Sequence, residues 1–214
     1  MAGNPFSTRY TRPGAMPYRY AVDASENRKV RSSALTESLQ QLRLHRCGVI
    51  VGRHGSGKTT LLHDWRADLE NAMSHLDWIQ VVSDPHQSGW RGRFRIADGR
   101  AVLRRAGDVP TGGLLIIDGA EQLSRLARFR IRNRVHQNRI HCLMTAHANL
   151  PGLKTLFNTG MDTEILRYLL NQLATDYPSD SVDQLDQVEN VREFWSELYD
   201  HHVQWDAVRQ SPCR

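Results

Sequence analysis

Cys47-Gly48-Val49-Ile50-Val51-Gly52-Arg53-His54-Gly55-Ser56-Gly57-Lys58-Thr59-Thr60 is the stretch that decides the fold. Gly52, Gly57, Lys58 and Thr59 complete the spacing G-x-x-x-x-G-K-[ST] of a phosphate-binding loop. Gly52 and Gly57, helped by Gly55, let backbone N–H groups turn inward around the β- and γ-phosphates. The predicted cradle is Gly52, Arg53, His54, Gly55, Ser56, Gly57, Lys58, Thr59 and Thr60. Within it, Lys58 is expected on the phosphate oxygens and the Thr59 hydroxyl on Mg²⁺. The flanks agree. Val49-Ile50-Val51 reads as a short apolar strand entering the loop. Leu61, Leu62, Trp65, Leu69, Ala72 and Met73 then recur at helical spacing. The loop therefore opens onto a helix N-terminus, which favours anions. This predicts binding of a nucleoside triphosphate.

Working outward, Leu114-Leu115-Ile116-Ile117-Asp118 is an apolar run ending in an acid, sixty residues after Lys58. A buried parallel strand would carry Asp118 to its carboxyl end, where ligands sit in open α/β sheets. There the carboxylate can orient a water on Mg²⁺. Further strands are expected at 77–82, 140–145 and, at an edge, 153–158. Helices are expected at 33–45, 58–73, 121–137 and, briefly, 99–106. Strand and helix alternating in this way predict a parallel sheet with helices on both faces. From about residue 162 only helical patterns remain, around Ile165, Leu166, Leu169 and Leu173 and around Val191, Phe194, Trp195, Leu198 and His202. The expected division is an arm and helix at 1–46, a nucleotide-binding core at 47–160, a helical lid at 161–206 and a tail at 207–214.

These motifs in this order resemble the AAA+ and STAND classes of P-loop ATPases. Asp118-Gly119-Ala120-Glu121 is similar to the Asp-Gly-apolar-acid pattern of NACHT and other STAND proteins. That resemblance implies a catalytic part for Glu121 close to the γ-phosphate; the alternative is a first-turn acid matching a helix dipole. Many hydrolytic relatives place a Glu directly after the Asp, where this chain has Gly119. Thr145 and His147 end the next strand, in Leu143-Met144-Thr145-Ala146-His147-Ala148; His147, at a loop start, is the lesser sensor candidate, with a simple hydrogen-bonding residue as the alternative. Thr145 resembles the sensor-1 position of AAA+ proteins, which implies contact with the γ-phosphate or the attacking water. Arg192, in Glu189-Asn190-Val191-Arg192, falls where that family places sensor 2 at the start of a lid helix; the alternative is an ordinary surface Arg. Residues 4–20 with Asp118–Leu123 also resemble a group of uncharacterised bacterial ATPases, which implies no activity of its own.

The net charge of +5 conceals an asymmetry. Residues 91–139 hold twelve Arg against four acids, while 161–206 hold eleven acids against Arg167 and Arg192. Such a split fits a nucleic-acid face, or segments that dock within a molecule or between copies of a homo-oligomer. On a helical wheel of 121–139, Arg130 and Arg134 fall near the side expected to be apolar, and Arg125, Arg128 and Arg132 opposite. The arm carries Phe6, Arg9, Tyr10, Arg12, Tyr18, Arg19 and Tyr20. These are expected to pack on the core, with adenine stacking or single-stranded nucleic acid as alternatives.

No run approaches the ~18 apolar residues of a membrane span, and the first residues lack an apolar signal region. Cys47, Cys142 and Cys213 have no metal-ligand spacing and suit free thiols in the cytoplasm. The leading expectation is an ATP- and Mg²⁺-dependent ATPase whose slow hydrolysis gates a partner interaction. A non-hydrolysing or nucleic-acid-binding switch and a small-molecule kinase are the rivals. The kinase reading lacks an acceptor motif other than Ser83-Asp84-Pro85-His86, and no Leu-Ser-Gly-Gly stretch supports an ABC-transporter subunit.

Overall fold

The computed structural model describes residues 4–81, 96–160, 162–173 and 190–210. Ser83-Asp84-Pro85-His86, the basic residues 91–95, the acids between 176 and 189, and the tail from 211 lie outside the described residues. The chain forms two compact units. One comprises residues 32–52 and 65–159; the other comprises 1–31, 53–64 and 160–214.

The first unit holds a single sheet. Five short runs, β1 (Cys47–Val51), β2 (Leu76–Gln80), β3 (Leu114–Asp118), β4 (His141–Ala146) and β5 (Lys154–Asn158), pair in the order β2-β3-β4-β1-β5. Every pairing is parallel. Helices supply the crossovers: α2 (Ala24–His45) precedes β1, α3 (Lys58–Ala72) follows it, and α4 (Ile96–Asp108) and α5 (Arg125–Gln137) flank β3. All five residues of β3 are buried, as a strand covered on both faces requires. Alternate residues Cys47, Val49, Leu115, Ile117, Cys142 and Met144 share one apolar cluster with Val102 and Ala106 of α4 and Ile131 and Val135 of α5. Their neighbours Ile50, Ile116 and Leu143 are buried as well. On that side Trp65 of α3 meets Phe157 of β5 edge-on, ring centroids 5.9 Å apart.

The wheel of residues 121–139 assumed one continuous helix, and the structure corrects it. Residues Ala120–Gln122 make a 3₁₀ turn, Leu123 is extended, and the helix restarts at Ser124, whose side chain accepts the Ala127 N–H. The restart shifts the phase. Arg130 and Arg134 are exposed. Arg128 is instead half-buried and donates to the Ala120 and Leu123 carbonyls at 3.2 and 2.7 Å, while Arg132 donates to Gly152.

In the second unit, α1 (Thr8–Thr11) belongs to the N-terminal arm, while α6 (Thr163–Leu173) and α7 (Val191–Gln210) are the C-terminal helices. Phe6, Leu166, Leu170, Phe194, Trp195 and Leu198 form its apolar core. Phe6 lies on Trp195, centroids 6.2 Å apart, and Arg19 lies over the Tyr168 ring while donating to its hydroxyl. The arm thus packs on the C-terminal helices through Phe6 and Arg19, where the sequence reading expected packing on the core. Helix α2 starts at residue 24 rather than 33. Asp23 caps it, accepting the Ser25 and Glu26 N–H groups at 2.9 and 2.8 Å. Among the described residues, no helix is long and apolar enough to cross a membrane.

Candidate functional site

The phosphate loop leaves β1 at Gly52, whose N–H donates to the Ala146 carbonyl of the neighbouring β4. The following residues depend on glycine at two places. Gly55 and Gly57 have φ of +75° and +86°, a region that side chains rarely adopt. A Cβ at Gly55 would collide with Asn190 Oδ1, and one at Gly57 would crowd the Tyr18 ring at 3.1 Å. Two segments distant in sequence therefore lie against the loop. Asn190 also caps α7, accepting the Arg192 N–H at 3.0 Å. This brings the start of α7, where Arg192 stands exposed, to the phosphate loop. Burial pushes the Tyr18 hydroxyl up to about 12. Lys58 is the first residue of α3, and its side chain is nearly buried. Its ammonium donates to the Arg53 carbonyl at 2.7 Å, so the loop's own backbone holds the cation over the cradle.

The acids stand at the carboxyl ends of the strands in the other unit. Asp118 is 5% exposed and closes β3. Thr145 is 1% exposed and ends the adjacent β4. Its hydroxyl donates to Asp118 Oδ1 at 2.6 Å and accepts the Gly119 N–H at 2.8 Å. The Thr145 proton is thus committed to Asp118 in this conformation. Gly119 sits at φ +94°, and a Cβ there would collide with the Val81 carbonyl oxygen. A Glu directly after Asp118 is therefore excluded by the backbone, and the next acid comes two residues later.

That acid, Glu121, lies in the 3₁₀ turn ahead of the Ser124 cap, so it is not a first-turn residue of α5. Its Oε1 stands 3.2 Å from His147 Nε2. Its Oε2 is buried and has no hydrogen-bond partner among the described residues. Arg128 is in electrostatic reach of Glu121, although burial is the main influence on that guanidinium and pulls its pKa down.

The sheet therefore brings Asp118 and Thr145 into direct contact and sets Glu121 against His147. Reading the sequence missed three partners: Tyr18 and Asn190 at the loop, and His147 as the neighbour of Glu121. Asn190 carried a local signal, since Asn before an apolar helical run is a cap signature. The other two are long-range contacts with none.

No family model and no curated protein matches the sequence. Solved structures do match in shape. DnaA from Aquifex aeolicus bound to AMPPCP superposes with a TM-score of 0.55 over 92% of this chain and 67% of that one, at 14% identity. Drosophila ORC bound to DNA gives 0.54 over 92% and 58%, at 12% identity. The replication initiator DnaA bound to AMPPCP and single-stranded DNA gives 0.51 over 79% and 59%, at 16% identity. The fold is that of AAA+ P-loop ATPases. The chain spans about three-fifths of the length of that last DnaA structure. At these identities the likeness concerns the fold alone.

Proposed function

We propose that this chain binds ATP with Mg²⁺ through residues 52–60 and hydrolyses it slowly, in the cytoplasm, to gate an interaction with a partner. The observation that carries this reading is a complete phosphate loop leaving one strand of a parallel sheet while an acid closes the next strand but one. The donors fit the groups invoked. The Thr59 hydroxyl and the Asp118 carboxylate are hard-oxygen ligands of the kind Mg²⁺ takes. Backbone N–H groups at the start of a 15-residue helix suit phosphate. Mg²⁺, when bound, would neutralise charge developing on the phosphates.

The chain's own residues then divide the work. Lys58 exchanges the Arg53 carbonyl for phosphate oxygen. Thr145 holds Asp118 in place. Glu121 takes the proton of the attacking water. Arg192, on the lid formed by α6 and α7, adds positive charge. Two of the similar structures contain AMPPCP, which supports the choice of ATP. Calorimetric titration of ATP with Mg²⁺ tests the reading. Lys58→Ala should weaken binding by at least ~1.5–3 kcal/mol, the range for hydrogen bonds to charged groups. Unchanged affinity would reject the site.

The exposed face of α5 favours nucleic acid as the partner. Arg125, Arg130 and Arg134 flank Leu126 and Phe129, and both apolar side chains are more than half exposed. Cations beside a half-exposed aromatic ring suit single strands, and the Arg132 guanidinium already lies 5.8 Å from the Phe129 ring centroid. DNA binding by the similar DnaA and ORC structures supports the same choice. Fluorescence anisotropy with a labelled oligonucleotide should give an affinity that falls with salt and with Arg130→Ala plus Arg134→Ala. Binding unaffected by either would reject this partner.

A further inference from the structure

We infer that His147 is the positioning residue for Glu121, holding its Oε1 so that Oε2 is left to accept the proton of the attacking water. The inference rests on the hydrolytic reading above. The backbone poses the problem first. Position 119 admits only glycine, so the proton acceptor cannot sit on the strand end beside Asp118. It is displaced onto a 3₁₀ turn of three residues. A Glu side chain has three rotatable bonds, and a turn this short does not fix them. Something outside the turn must.

β4 supplies it. Thr145 and His147 are two residues apart, one at the strand's last turn of pleat and the other just past its end. Thr145 takes Asp118 Oδ1 at 2.6 Å and His147 takes Glu121 Oε1 at 3.2 Å. One strand end thus fixes both acids. The two oxygens of Glu121 differ in consequence. Oε1 is engaged, while Oε2 is withdrawn from solvent and has no partner among the described residues. A buried oxygen without a donor is costly to keep. Its lone pairs are taken by no donor among the described residues. In the step assigned to it, the water oxygen bonds to the γ-phosphorus and the bond to the ADP oxygen breaks. ADP leaves with that electron pair, and the water proton passes to Oε2.

The test is steady-state turnover of MgATP by the full chain carrying His147→Ala, His147→Gln, Glu121→Gln and the double change Glu121→Gln with His147→Ala. A carboxylate released from its productive position should lower kcat on the order of 10²-fold, as small misplacements do. His147→Ala should show this loss with KM unchanged. His147→Gln keeps an N–H at the reach of Nε2 and should recover most of the rate. His147→Ala should add nothing once Glu121 is Gln. If Glu121→Gln is inactive while His147→Ala turns over normally, the positioning role is overturned and the hydrolytic reading stands. A change in KM alone would make His147 a nucleotide contact instead. If Glu121→Gln itself keeps the wild-type rate, the catalytic role of Glu121 fails, and the inference with it.

Discussion

Replacing Thr145 by Val removes one oxygen and almost nothing else, so its effect can be worked out from the contacts of that oxygen. Valine matches threonine in shape and suits a strand. Two bonds disappear: the 2.6 Å donation to Asp118 Oδ1 and the 2.8 Å acceptance from the Gly119 N–H. The first is charge-assisted and is worth about 1.5–3 kcal/mol. The second leaves a part-buried donor unsatisfied, at about 1 kcal/mol. Because both bonds share one atom, the losses overlap, and a combined destabilisation of ~3 kcal/mol is expected. Thr145→Ser provides the control. It keeps the hydroxyl and loses one buried methyl, a cost of ~1 kcal/mol. Urea unfolding followed by tryptophan fluorescence should therefore rank wild type, Ser and Val in that order, with unchanged m-values. Hydrogen exchange at the Gly119 amide should quicken in the Val variant alone. If Val is as stable as Ser, or the Gly119 amide is unaffected, the hydroxyl is not the link between β4 and Asp118.

Gly55→Ala should destabilise by ~1–2 kcal/mol from its positive φ, and by ~1 more because the added methyl displaces the Asn190 cap; Asn190→Ala should show only the second part in thermal unfolding. Burial pushes the Cys47 thiol up to about 12 and raises that of Cys142 as well. Both thiols stay protonated in the fold while unfolded thiols ionise from about pH 8.5. Their contribution is therefore intact below that pH and is lost above it, at ~1.4 kcal/mol per pH unit per thiol. Urea midpoints at pH 8 and pH 10 measure the loss, and Cys47→Ala should reduce it. Arg192→Ala should slow ATP turnover while leaving the ATP dissociation constant unchanged; a weakened dissociation constant with normal kcat would make Arg192 a ground-state binding residue.

How far the chain could be read from its residues depended on the range of the cause. The strand entering the glycine-spaced loop and β3 carry local signals in their short apolar runs, and both strands lie where these signals put them. The start of α2 was missed because residues 24–32 are polar and almost wholly solvent-facing, so they show no apolar period. The signal there was chemical: Asp23 and Glu26 bracket a capped first turn. The arginines of α5 were misplaced because a wheel assumes constant phase, and Ser124 resets it. The contacts of Tyr18 with Gly57 and of Glu121 with His147 join distant positions, and no local pattern encodes them.

The left-handed glycine after Asp118 has a consequence for anyone redesigning this site. The spacing between the two acids is an inheritance of the backbone rather than a free variable. Moving the carboxylate forward to position 119 would set its side chain against the Val81 carbonyl and break the junction between β3 and the turn. A gain in chemical power sought by that route would be met by unfolding. The productive edits lie across the sheet instead, just past the end of β4, where His147 can be exchanged without adding a Cβ to position 119.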